Sequence, residues 1–231
     1  MIRLRGRVRR EEQMDDPRLA PEVYDRVLRD LGRVNGWTLA ARPTLAFLRR
    51  ATRGMIAFRL LDVGFGHGDM LRRIARWARR RGLACDLVGV DLNSKSEVAA
   101  RAVTPLSMPI DYRTGDYRDV PGPFDFVISS LVAHHMTDEQ LDAFIGFMER
   151  EATHGWLIND LHRHSLAYNS FPLLTGLIGA HRIVREDGQL SIARSFRPED
   201  WRAILDRAGV PDGAARIVRR FPFRLCVERL R

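Results

Sequence analysis

Behind a carboxylate, three glycines stand at alternate positions in the run Asp62-Val63-Gly64-Phe65-Gly66-His67-Gly68. Leu60, Leu61 and Val63 read as the end of a buried strand, and Leu71, Ile74, Ala75 and Ala78 follow at i, i+3, i+4 and i+7, the apolar stripe of a helix. A strand that enters a helix through glycines describes a backbone cradle, because glycine accepts positive φ and has no side chain to hold a ligand away. A second strand, Asp86-Leu87-Val88-Gly89-Val90-Asp91, ends in an acid 23 positions after Gly68, placed to accept hydrogen bonds from ribose hydroxyls. The pair predicts a βαβ unit that binds a nucleoside. A dinucleotide fingerprint counted from Gly64 needs glycine at position 69, where Asp69 stands, so the turn is poorly suited to a pyrophosphate.

Two later segments offer proton chemistry, Ser129-Ser130-Leu131-Val132-Ala133-His134-His135 and Asn159-Asp160-Leu161-His162-Arg163-His164. Each lies at the end of an apolar run that predicts a strand, and open α/β sheets bind their ligands beyond the carboxyl ends of the strands. A neutral imidazole there can take the proton of a phenol or hydroxyl as its oxygen attacks, since histidine titrates near working pH. His135, with His134 as its alternate, and His162 are the catalytic candidates. The plain alternative for each is a packed, hydrogen-bonded structural histidine.

The elements that must position these groups follow from periodicity. Strands are expected at 59–64, 86–91, 110–114, 124–129 and 155–160, with helices at 68–81, 94–103 and 137–150. Thr137-Asp138-Glu139-Gln140 is a capping-box pattern, and Leu141, Phe144, Ile145 and Met148 give its helix one apolar face. Such alternation implies a parallel sheet covered on both sides. Upstream, Tyr24, Val27, Leu28 and Leu31, then Leu45 and Leu48, mark two helices expected to cap the cleft. Residues 1–18 are charged and expected to be mobile. Beyond Asp160, residues 165–180 are apolar but poorly periodic, broken by Pro172, Gly176 and Gly179. A helix returns at Trp201, Ile204, Leu205 and Ala208, with Pro198 near its first position and Gly209 as its stop; Arg197 stands where a capping oxygen is expected. Strands at 215–220 and 223–229, split by Pro222, close the chain as a hairpin.

Composition sets the outer bounds. A chain of 231 residues, 45% hydrophobic, buries one good core, so a single domain with decorations is expected. No apolar stretch approaches the roughly 20 residues of a membrane span, and the charged first residues lack the apolar segment of a secretion signal. Two cysteines, Cys85 and Cys226, make no disulfide framework, so a cytoplasmic location is expected. The net charge of +9 raises nucleic acid as a partner. Lys95 is the one lysine, however, and the arginines are scattered along helices, as in Arg72, Arg73, Arg76, Arg79, Arg80 and Arg81, so a solvated surface is the favoured reading.

Asp62-x-Gly64-x-Gly66-x-Gly68, with Asp91 ending the second strand, resembles the S-adenosylmethionine site of class I methyltransferases. Thr114-Gly115-Asp116-Tyr117 is similar to that family's third-strand motif, and Phe124-Asp125-Phe126-Val127-Ile128-Ser129-Ser130 to its fourth strand. The resemblance spans about residues 60–160, weakens towards the C-terminus, and is closest to small bacterial methyltransferases of specialised metabolism. It implies an α/β fold: a seven-stranded, mostly parallel Rossmann-like sheet with a C-terminal antiparallel hairpin, a helical cap at 1–55, a cofactor core at 56–160, a substrate lid at 161–195, and a final helix and hairpin at 196–231. It further implies S-adenosyl-L-methionine as cofactor, S-adenosyl-L-homocysteine as product, and a site built from Asp62, Gly64, Phe65, Gly66, Gly68, Asp91, Leu92, Asp116, Tyr117 and Ser130. Asp62 would orient the ligand ammonium, Asp91 the ribose and Asp116 the adenine amino group, although Asp116 also suits an ordinary turn. Phe65 and His67 stand where the family often has smaller residues.

No metal is expected. Some phenol methyltransferases bind magnesium beside strands four and five, but strand four ends here in serines where that subfamily has an acid, and magnesium takes hard oxygen ligands. The proline-bearing motif of base-amino methyltransferases is also missing after strand four. The expected reaction is methyl transfer to a small, largely apolar acceptor, phenolic, polyketide or lipid-like, at oxygen and with a histidine base. An RNA- or ribosome-directed enzyme and a cofactor-binding protein without catalysis stand as alternatives.

Overall fold

The computed structural model describes residues 4–16 and 18–231. Parallel strands β1 (Ala57–Val63), β2 (Ala84–Asp91), β3 (Ile110–Thr114), β4 (Phe124–Ser130) and β5 (Ala152–Leu161) are joined by antiparallel β6 (Arg216–Arg220) and β7 (Arg224–Leu230). The single sheet has the order β3-β2-β1-β4-β5-β7-β6. Val63 pairs with both Val90 and Ser129, so β1, β2 and β4 end at one level and their carboxyl ends form a common rim. The strands bury apolar residues on both faces because helices cover both. α5 (Asp138–Glu151) and α8 (Pro198–Arg207) enclose Phe144, Trp156 and Trp201 on one face. α3 (Asp69–Arg80) and α2 (Ala41–Ala51) enclose Phe47, Leu71 and Tyr112 on the other. α4 (Ser94–Ala102) fills the crossover between β2 and β3. The capping box at Thr137 forms, with the Gln140 N–H donating to Thr137 Oγ1.

The expected sheet and hairpin are present, and the differences lie outside the sheet. Of the two helices ahead of β1, α1 (Pro21–Trp37) faces the rim, whereas α2 packs on β5, β7 and α3 and belongs to the sheet's cover rather than to a cap. The region after β5 is two helices, α6 (Ser165–Leu177) and α7 (Arg182–Arg194). They pack closely because Gly188, inside α7, leaves room for the Phe171 ring, which any Cβ there would strike. Arg197 precedes α8 as expected and supplies no capping oxygen; the contact that forms is the reciprocal one, in which Asp200 Oδ2 accepts the Arg197 N–H at 2.6 Å.

The largest correction concerns the arm. Residues 1–3 and Pro17 lie outside the described residues, but 4–16 is packed against α7 rather than mobile. Val8 N–H donates to Ala193 O, Arg7 donates to Arg194 O and stacks 4.1 Å over the Phe196 ring, and Asp187 accepts the N–H groups of Gln13 and Met14. These bonds anchor a charged segment through its backbone, which hydropathy does not register.

Candidate active site

A cleft of about 1320 Å³ opens above the rim, floored by the glycine turn and walled by α1, α6, α7 and the arm. It exceeds the usual size of a single-ligand pocket and has room for a donor and an acceptor side by side.

At the floor, Gly64, Gly66 and Gly68 all have positive φ, 78°, 54° and 71°. Their surroundings differ. A Cβ on Gly64 would collide with Val132, and one on Gly68 with Tyr112, so these two glycines are required by the protein's own packing. At Gly66 the nearest atom to such a Cβ is Leu28 Cδ2 at 3.9 Å, which leaves space for a ligand. The Gly66 N–H donates to Asp91 Oδ2 and the Asn93 N–H to Asp91 Oδ1, both at 2.9 Å, so Asp91 ties the turn to the end of β2 while lining the cleft. Burial, outweighing those bonds, holds its carboxyl above the usual range. Asp62 is fully buried, its Oδ1 has no hydrogen-bond partner among the described residues, and burial pushes its carboxyl up to about 8, with the Asp69 and Asp91 charges adding. Asp62 does not itself line the cleft; a buried acid left without a partner just ahead of the turn fits a ligand that brings its own cation.

The remaining floor residues are mixed. Asp116 ends β3's loop, accepts the Arg118 N–H and pairs with its guanidinium, which holds the carboxyl below the usual range. Leu92 is exposed at the cleft, and Ser130 is half-buried there. Tyr117 leans on Phe144 and Phe147, its ring shared between core and cleft. Phe65 turns its ring into the core against Tyr112, centroids 4.8 Å apart, in the space left by Gly89. Its bulk therefore does not crowd the cleft.

Above the floor the structure joins two of the three candidate histidines. A single 3-10 turn, Ala133–His135, presents both, and each imidazole is held by a carboxylate: His134 Nδ1 lies 2.7 Å from Asp160 Oδ1, and His135 Nδ1 lies 3.0 Å from Asp15 Oδ2. His134 is 3% exposed, whereas the His135 side chain keeps 26% of its surface open. Burial alone would raise Asp160, but the His134 charge and hydrogen bonds from His134 and Leu161 bring its carboxyl below the usual range. His162 stands apart: its backbone pairs with Phe196 and Phe223, its ring stacks near His164, and it does not line the cleft. It follows Leu161, the last residue of β5, and is bound into the neighbouring strand connection, not the rim.

Sequence reasoning missed Glu12. This residue of the arm is 4% exposed, accepts a 2.8 Å hydrogen bond from Ser191 Oγ, and places Oε1 3.6 Å from His134 Nε2 and 3.7 Å from His135 Nε2. Burial pushes its carboxyl up to about 7, against the His135 charge, the Ser191 bond and the Arg194 charge. Glu12, His134 and His135 are also the one trio of potential ligands, among the described residues, close enough to hold a metal ion. Arg194 approaches the same Glu12 oxygen at 3.8 Å and bonds the carbonyls of Arg10, His134 and His135, so a fixed cation already serves that cluster.

Residues 60–155 match a family model described as "Methyltransferase domain". No curated protein matches the chain. Among solved structures, the fold is similar to magnesium protoporphyrin IX methyltransferase from Synechocystis PCC 6803 with bound SAH, at 20% identity and a TM-score of 0.57 over 85% of this chain and 84% of that one. Human N-acetylserotonin methyltransferase in complex with SAM superposes at 0.63 and 16% identity over 92% of this chain, which spans 56% of the human protein's length. The plantazolicin methyltransferase BpumL in complex with SAH superposes at 0.62 and 14% identity, over 90% of this chain and 95% of that one. At such identities the likeness is one of fold.

Proposed function

We propose that this chain, whose residues 60–155 match a methyltransferase-domain model and whose sheet has the order described above, methylates a hydroxyl of a small, largely apolar acceptor, phenolic, polyketide or lipid-like, with S-adenosyl-L-methionine as donor. The observation that carries this reading is the single cleft that runs from the open Gly66 turn to the paired histidines, walled by Val27, Leu28, Leu31, Phe171 and Leu174. When bound, the donor supplies a methyl group on a positively charged sulfur. Gly66 would admit its backbone, Asp62 its ammonium, Asp91 its ribose and Asp116 with Leu92 and Tyr117 its adenine. The segment 161–195, which forms α6 and α7, would act as the acceptor lid.

His135 is the better placed base of the pair. Its Nδ1 faces the Asp15 carboxylate, so in the neutral ring Nδ1 carries the proton and Nε2 has the lone pair. Asp160 fixes His134 in the same tautomer, deeper in the wall. Orientation by a carboxylate and a lone pair at the cleft are what general-base removal of a hydroxyl proton requires. Two free thiols and the absence, among the described residues, of any helix long and apolar enough to cross a membrane support work in the cytoplasm.

A screen of phenolic, polyketide and long-chain hydroxy acceptors with methyl-labelled donor tests the reading. On any acceptor it yields, His135→Ala should lower kcat by about 10²- to 10⁴-fold, with affinity for S-adenosylhomocysteine kept. Retention of most activity at neutral pH by both His135→Ala and His134→Ala would leave positioning alone as the source of catalysis.

A further inference from the structure

The two imidazoles of the 3-10 turn share an unusual arrangement. Each has Nδ1 committed to a carboxylate, Asp160 for His134 and Asp15 for His135, so each turns Nε2 towards the same atom, Glu12 Oε1. Two ring nitrogens and a carboxylate oxygen converging at the wall of the cleft make a site that favours taking up a proton. Among the described residues, the charged and titratable groups that contact or influence Glu12 come from the turn, the arm and α7. The turn contributes His134 and His135, with Asp160 behind His134; the arm contributes Asp15; α7 contributes Arg194 and, beyond the Ser191 hydroxyl, Asp187. One cation and a hydroxyl serve the carboxylate, and the two Nε2 positions have no other polar contact among the described residues.

Resting on the reading of this cleft as a hydroxyl-methylating site, we propose that Glu12 is a further catalytic group, the carboxylate that, with His134 and His135, forms one proton-holding cluster and receives the acceptor's proton. The acceptor O–H bond breaks and its proton goes to His135 Nε2, the oxygen keeps the electron pair with which it bonds the donor's methyl carbon, and the carbon–sulfur pair remains on sulfur. The proton passes from Nε2 to Glu12 Oε1 across the 3.7 Å gap as the side chains close, and leaves to water when the product departs. The raised Glu12 carboxyl, near 7, lets that oxygen hold a proton near neutral pH.

The imidazoles of the intact chain, followed by nitrogen NMR from pH 5.5 to 9, test the cluster with no acceptor present. The expected result is that His134 and His135 shift together with a common midpoint, and that Glu12→Gln separates them and moves both midpoints down by more than half a pH unit, since the negative charge that favours their protonation is gone. Independent titration in the wild type, or midpoints unmoved in Glu12→Gln, would overturn the cluster whether or not an acceptor is known. With an acceptor in hand, Glu12→Gln should lower kcat by about 10²- to 10³-fold and shift the alkaline-rising limb of kcat against pH, with S-adenosylhomocysteine affinity within about twofold of wild type and partial recovery in Glu12→Asp. An unshifted pH profile would make Glu12 merely structural. Stoichiometric Zn²⁺ in the purified protein, lost in Glu12→Gln together with EDTA-sensitive turnover, would equally overturn the proposal by making the trio a metal site. Loss of turnover in His135→Ala with Glu12→Gln fully active would sink the cluster while sparing the hydroxyl-methylation reading.

Discussion

Gly64, Gly66 and Gly68 form one sequence pattern but answer to different constraints. The pattern suggests that all three yield space to a ligand, yet only Gly66 faces open space; Gly64 and Gly68 yield to Val132 and Tyr112. The distinction was not legible in the sequence, because Val132 and Tyr112 lie tens of residues away and their approach depends on how β4's loop and β3 meet the turn. It has a measurable consequence. Gly64→Ala and Gly68→Ala combine a positive-φ penalty with a collision and should each lose about 2–4 kcal/mol of stability in urea unfolding. Gly66→Ala should lose about 1–2 kcal/mol, the conformational part alone, yet Gly66→Val should abolish S-adenosylhomocysteine binding in calorimetry while the protein stays folded. Equal losses of stability at all three positions would mean that Gly66 too is packed against protein. The histidine pair was legible as chemistry from its place after the fourth strand, but its third member was not. Glu12 sits in a run of charged residues with no periodicity, and nothing local distinguishes it from its exposed neighbour Glu11.

Among the elements, those whose apolar residues recur with strand or helix period were legible, and those held by long-range polar contacts were not. α7 shows why. Its buried residues include Asp187, Gly188, Ser191 and Arg194 beside Ile183, Val184, Leu190 and Ile192, because its inner face meets the arm and the histidine turn as well as apolar side chains. A helix that buries polar groups against a partner segment has no clean apolar stripe to read. The same contacts make the arm an active part of the site. Asp187→Ala removes the acceptor for the Gln13 and Met14 N–H groups, and the segment carrying Glu12 and Asp15 should then detach from α7. Hydrogen exchange should show the Val8 amide, bonded to Ala193 O in the wild type, losing protection by tenfold or more. Turnover should fall with it while S-adenosylhomocysteine affinity holds, because the glycine turn lies on other elements. A Val8 amide as protected as before would mean that Arg7 and Arg194 hold the arm without Asp187.

The whole molecule pairs much of its arginine surface locally, as in Arg59 with Asp86, Arg101 with Glu97 and Arg207 with Asp142, so the positive excess is not gathered into one binding face by these groups. Its titration is shaped by buried acids raised by their burial: Glu12 and Asp91 at the cleft, and Asp62 beneath the glycine turn. Glu12 moves from 4.5 to about 7 and Asp62 from 3.8 to about 8, in both cases chiefly because burial disfavours the charged form. Over that window the folded chain binds protons that the unfolded chain has released, so their contribution to stability is complete below about pH 4 and is lost as pH rises through about 7 for Glu12 and about 8 for Asp62. Asp15, Asp116, Asp138 and Asp160 are shifted down and act oppositely, losing stability only as pH falls below the ordinary carboxylate range. Against the opposite contribution of His67 and His162, whose imidazoles burial lowers, these raised acids should make the ligand-free protein melt at progressively lower temperature from pH 5 to pH 8.5. Glu12→Gln should flatten the portion of that slope below about pH 7, and Asp62→Asn the portion that extends to about pH 8. Saturating S-adenosylhomocysteine should flatten the upper portion in the wild type, because an ammonium beside Asp62 would favour its ionised form and remove the proton the free fold retains. If Asp62→Asn melts with the same pH slope as the wild type, with and without the ligand, Asp62 is ionised throughout in the folded chain and does not receive the ligand's ammonium.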